Sequence, residues 1–154
     1  MKETRANILS MALQEFNLQG FVNVRLQEIA DAAKISVGNM AYHFKNKDAI
    51  IEVLHDQLKK EQETLLYDFR AAHLFEDLNR QLQGVFRIQK QYIFFYLDTL
   101  EVLRAYPVMK EKHQLHITWQ LQQIEWMLEF NSFRGSFQEP VNDAQYQHLA
   151  FNFG

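Results

Sequence analysis

Residues 23–47 read NVRLQEIADAAKISVGNMAYHFKNK. Leu26, Ile29, Ala30 and Ala33 recur at helical spacing, which gives a first short helix one apolar face. Asn23 offers a side-chain cap for its start. Ala32, Ala33, Lys34 and Ile35 carry the chain into a turn, and Ser36 supplies a second N-cap. Residues 37–44 then make a helix too short to stand alone, because nucleating a helix is costly. Packing must hold it, with Met40 and Phe44 as the inward anchors. Two helices of this size across a short turn form a helix-turn-helix, whose second helix can enter a DNA major groove.

The register of these residues resembles the DNA-binding domain of the TetR family (TetR/AcrR-like regulators). Ile29-Ala30, Ala32-Ala33, Ser36, Gly38, Tyr42-His43-Phe44 and Lys47 follow in the family's order, after an upstream helix with Ile8, Leu9, Ala12, Leu13, Phe16 and Gly20. The resemblance implies an all-α protein. A three-helix helix-turn-helix domain at the N-terminus is joined by a long helix to a helical ligand-sensing and dimerisation domain. It further implies a homodimer on a palindromic operator, repressing transcription until a small molecule releases it. Three positions depart from the pattern. Val24 stands where a capping Thr is usual, Lys34 where Gly is common, and Ala41 where a Tyr often touches the DNA backbone. A positive φ at Lys34 would cost about 1–3 kcal/mol.

Outward from this stretch the chain keeps a helical period. A first helix covers 4–18, with Gly20 as its stop. A long helix opens at Asn46 and runs to about residue 72, with Ile51, Leu54, Leu58, Gln62, Leu65 and Phe69 as its inner stripe. The domains expected are 1–47 for DNA binding and 48–154 for ligand binding and dimerisation, linked by this helix over about 46–72. A helix over 77–96 carries the stripe Leu78, Leu82, Val85, Gln89, Tyr92 and Tyr96. A short piece follows at 98–106, and Pro107 marks a break. The helix over 108–133 is apolar on two sides, Ile117, Leu121, Ile124 and Leu128 against Leu115, Trp119, Trp126 and Phe130. Such a helix is expected to lie sandwiched between partners.

Net charge is −3, which by itself argues against a nucleic-acid partner. Its distribution points the other way: residues 1–47 carry +2 and the remainder −5. There are no cysteines, so disulfides, thiolate zinc sites and cysteine nucleophiles are excluded. No signal-like region opens the chain, and the longest apolar run, 92–97, is far too short to span a bilayer. A cytoplasmic protein without membrane contact is the expectation.

For DNA the candidate residues are Arg25, Gln27, Ser36, Val37, Gly38, Asn39, Tyr42, His43 and Lys47. Gly38 allows close approach of backbone to the duplex. Asn39 suits a base edge or phosphate, Tyr42 and His43 either, and Lys47 a phosphate. For the effector the candidates are Gln62, Phe69, Gln89, Tyr92, Trp119 and Trp126, an apolar and aromatic set with few polar anchors. His113 and His116 stand three apart on a helix, the one arrangement that suits a metal-dependent helical protein. No HExxH, phosphate loop, nucleophile–base pair or carboxylate pair is present. An enzyme, a cofactor and a bound metal are therefore not expected. A DNA-binding regulator with no small-molecule ligand is the alternative. Family members usually continue for several tens of residues beyond this length. Here Tyr146, Leu149, Ala150 and Phe153 begin an apolar helical pattern near the end. The expectation is a fragment lacking the C-terminal dimerisation helices, or an unusual dimer.

Overall fold

A computed structural model describes residues 2–69 and 74–135, with the side chains of 69 and 74–78 left aside. The expected helix start around Tyr146, Leu149, Ala150 and Phe153 lies outside the described residues. The described residues form eight helices and no strand: α1 Lys2–Gln19, α2 Leu26–Ala32, α3 Val37–His43, α4 Lys47–Phe69, α5 Leu74–Gln91, α6 Ile93–Leu97, α7 Thr99–Ala105 and α8 Pro107–Phe133. The all-α expectation holds, as does the order of a helix-turn-helix followed by a long helix.

Most element ends have a local cause. Gly20 stops α1 with φ +80, a conformation that costs glycine little. Asn46 caps α4, its Oδ1 accepting from the Ala49 N–H at 3.0 Å. Pro107 opens α8 at the first helical position, where a missing N–H is harmless. The helix expected over 77–96 is broken at Tyr92, whose φ −114 and ψ 36 leave the helical region, so α5 and α6 are separate.

The chain divides into two compact units. Among the described residues the first holds 2–60 and 87–110, and the second holds 61–69, 74–86 and 111–135. This packing division and the sequence division at residue 47 are different cuts. In the first unit, Ile8, Phe16, Phe21, Ile29, Met40, Phe44, Ile50 and Leu54 bury together with Ile88, Tyr92, Phe94 and Val102. Phe16 meets Phe21 and Phe94 at ring distances of 5.1 and 5.3 Å. Asn17 ties α1 to the α5–α6 break, donating to the Gln91 carbonyl at 2.8 Å and accepting from the Phe94 N–H at 3.1 Å. Asp98 accepts from the Phe21 N–H at 2.7 Å. The helix-turn-helix is thus closed by residues 91–106 as well as by α1 and α4.

The second unit joins parts of α4, α5 and α8. A Cβ on Gly84 would lie 2.5 Å from Leu65 Cδ1, so α4 and α5 approach too closely there for a larger residue without a shift. Two expectations are corrected in the later helices. Leu82, Val85, Gln89 and Tyr96 are exposed; Tyr92 is buried as expected, at the break after α5, and Ile88, outside the expected stripe, is the buried apolar residue of α5. On α8, Leu115, Ile117, Trp126 and Phe130 are exposed, whereas His116, Gln123, Leu128 and Asn131 are buried. Apolar periodicity identified the helix but not the face it buries.

Candidate nucleic-acid interface

The turn between α2 and α3 is built by backbone hydrogen bonds. The Ile35 N–H reaches the Ala30 carbonyl and the Lys34 N–H reaches the Asp31 carbonyl, both at 3.0 Å. This is the Schellman arrangement, which needs a left-handed residue just past the helix. Lys34 fills that place at φ 57, the one non-glycine with positive φ among the described residues. Asn7 of α1 donates to the Ala33 carbonyl at 3.1 Å and ties the turn to the scaffold.

The start of α2 differs from expectation. Arg25, not Asn23, is the N-cap residue, and the Glu28 carboxylate reaches back to accept from the Arg25 N–H at 2.6 Å. Asn23 instead donates to the Gln19 carbonyl at 2.7 Å, satisfying the end of α1. The expected role fails because α2 begins too late for Asn23 to reach its free N–H groups.

Ser36 caps α3 as expected, its Oγ accepting from the Asn39 N–H at 3.1 Å. Met40 and Phe44 point into the core, and the Arg5 guanidinium lies 4.7 Å from the Phe44 ring centroid. With those anchors inside, Ser36, Val37, Gly38, Asn39 and Tyr42 are left facing solvent. Tyr42 is 72% exposed, an unusual state for so large an aromatic residue. His43 is half-buried beside it, ring to ring at 5.3 Å. A Cβ on Gly38 would meet nothing closer than Ser36 Oγ at 3.9 Å. Nothing inside the protein demands glycine there, so the missing side chain opens space outward. Arg25 and Gln27 are exposed on the preceding helix, with Gln27 donating to Asp31 at 2.7 Å.

Lys47 departs most from its expected role. Its ammonium donates to the Phe21 carbonyl at 2.7 Å, the Val24 carbonyl at 2.9 Å and the Val22 carbonyl at 3.5 Å. It also lies 4.3 Å from the Phe21 ring centroid. An ammonium has three N–H donors, and three carbonyls occupy them. Burial pushes its pKa down, with the Asp48 and Glu28 carboxylates opposing. Asp48 in turn accepts a hydrogen bond from Tyr106, whose pKa rises through burial first and that carboxylate second. Lys47 therefore clamps the α1–α2 turn onto the start of α4. Asp98 and Asn17, equally important to this closure, gave no local signal, since their partners lie 77 and 74 residues away.

The effector candidates are divided between the two units. Gln62, Trp119 and Trp126 belong to the second unit, Gln89 and Tyr92 to the first. Gln62 Oε1 accepts from His116 Nε2 at 2.6 Å, and the His116 ring stacks on Trp119 at 5.9 Å. Trp126 and Gln89 are exposed and Tyr92 is buried. The Phe69 side chain lies outside the described residues. His113 is half-buried, and that burial lowers its pKa. Among the described residues no three His, Cys, Asp or Glu side chains group in a way that could hold a metal ion. No helix there is long and apolar enough to cross a membrane.

Residues 8–54 match the family model described as "Bacterial regulatory proteins, tetR family". The chain is 33% identical over 64 residues to the HTH-type transcriptional regulator TtgR of Pseudomonas putida, covering 42% of this chain and 30% of that protein. It is 46% identical over 46 residues to the HTH-type transcriptional regulator AcrR of Shigella flexneri, covering 30% and 21%. In each case the match spans less than half of the relative's length. A crystal structure of a TetR-family transcriptional regulator from Marinobacter aquaeolei VT8 is similar over 96% of this chain and 73% of that one, with TM-score 0.88 and 26% identity. These proteins are named as regulators and not as enzymes.

Proposed function

The chain belongs to the TetR family of transcriptional regulators, and from that premise we propose that it is a ligand-responsive repressor, acting as a cytoplasmic homodimer on a palindromic operator. In this reading 1–47 binds DNA and 48–154 senses the effector and dimerises, with α4 as the link between them. The effector is a small apolar or aromatic molecule. It must bind one conformer of the protein better than the other, or it shifts nothing.

The observation that carries the DNA-binding part is the outward side of α3. A capped helix, pinned by Met40 and Phe44, presents Val37, Gly38, Asn39 and Tyr42 to solvent. The turn before it is fixed by the paired backbone hydrogen bonds of Lys34 and Ile35. Rigid placement is what base reading needs. Asn39 is the residue for a base edge, Tyr42 and His43 for base or phosphate, and Arg25 for phosphate. Selection from a random duplex library, followed by titration at several salt concentrations, tests the reading. A recovered inverted repeat with half-sites about one helical turn apart is the expected result. Recovery of no common sequence would count against it.

A further inference from the structure

The second unit buries polar groups along α8, and the amide oxygen of Gln123 is among those that meet no hydrogen-bond partner. His116 of α8 bonds Gln62 of α4 at 2.6 Å, and Gln81 of α5 donates to Met127 Sδ of α8 at 3.7 Å. Gln123 lies between these two contacts. Seven residues after His116, it is rotated by only about 20° from it, and it stands one turn before Met127. It therefore shares the side of α8 that meets α4 and α5. Gln123 is 6% exposed, and its Oε1 has no hydrogen-bond partner. A buried acceptor left unpaired is costly, and few native side chains are left so.

The surroundings narrow what could pair with it. No Lys or Arg is buried among the described residues, so no fixed cation is available there for an anion. Trp119, stacked on His116 with an interplanar angle of 13°, adds a flat aromatic surface on the same stretch of α8.

We propose that Gln123 anchors an effector in the second unit, its Oε1 accepting a hydrogen bond from a hydroxyl or amide N–H of a neutral aromatic molecule. This rests on the ligand-responsive reading above and specifies the chemistry it requires. A carboxylate ligand is disfavoured, since no buried Lys or Arg among the described residues would offset its charge on burial. An aromatic ether of the same shape would leave Gln123 unpaired.

The test uses the full chain and three probes of similar shape: a naphthol, its methyl ether and the naphthoate. Affinities are read by tryptophan fluorescence and calorimetry, on the wild type and on Gln123→Met, which keeps length and volume without the amide. Gln123→Leu serves if the Met variant folds poorly. The naphthol is expected to bind about tenfold or more tightly than the ether, with the naphthoate weakest. In Gln123→Met that preference falls to about twofold or less. Equal binding of naphthol and ether, a preference that survives in the variant, or no binding of any probe overturns the proposal. Operator release is measured separately. Gln123-dependent binding without release upholds the site and removes its effector role. Release by a probe that is indifferent to Gln123 keeps the effector role and removes the anchor.

Discussion

Helices α3 and α8 solve opposite problems. In α3 the apolar Met40 is 1% exposed and the polar Ser36 and Asn39 face solvent. In α8 the two are mixed: His116, Gln123 and Asn131 are buried alongside Met109 and Leu128, while Leu115 is 66% and Trp126 56% exposed. Burying apolar surface gains about 25 cal/mol per Å². A helix arranged as α3 takes that gain within the chain. The exposed apolar residues of α8 leave it untaken here, which is how surfaces that meet a partner are built. The difference separates an element whose inward side is apolar from one whose inward side is partly polar and whose exposed side is partly apolar.

The comparison breaks first at the anchors of α3. Phe44→Ala should remove about 3–5 kcal/mol of stability, read by denaturant titration, and operator binding should go with it. A loss below about 1 kcal/mol would mean that α3 does not depend on its inward side. Lys47→Met comes next. It leaves the Phe21 and Val24 carbonyls without their donor, and a loss of about 2–3 kcal/mol is expected. If stability is unchanged and the slope of log affinity against log salt drops by about 1, Lys47 acts as a phosphate contact instead.

Asn39→Ala tests the outward side of α3. About 1–3 kcal/mol of operator affinity should be lost if Asn39 makes a bidentate base contact, with little change in thermal stability. Selection that returns the same site for the variant would place base reading elsewhere. On α8 the matching experiment is Trp126→Lys. Monomer stability should shift by about 0.5 kcal/mol or less, whereas self-association, followed by light scattering, should weaken. An unchanged association state would show that this exposed side of α8 takes no part in self-association. The smallest effect belongs to the turn. Lys34→Gly relieves a left-handed non-glycine but adds freedom to the unfolded chain, so a net gain of about 1 kcal/mol is expected, seen as a modest rise in Tm.

By itself the sequence determined what depends on neighbours in the chain. The helix-turn-helix, the Ser36 cap, the inward Met40 and Phe44, the Gly20 stop and the departure at Lys34 all follow from residues a few positions apart. Local backbone chemistry decides each of them, so the chain spells them out. Tertiary structure decided which partners distant groups found. Lys47 reads as a surface cation until three carbonyls from the α1–α2 turn surround it. Asn23 reads as the cap of the helix ahead and serves the helix behind. Gln62 and Gln89 both interrupt apolar stripes, yet one is bonded to His116 and the other faces solvent. Gln123, inconspicuous in the sequence, is the amide whose buried oxygen lacks a partner. Periodicity states that a helix has sides; only packing states which side is inside, because burial is a relation between elements and not a property of one.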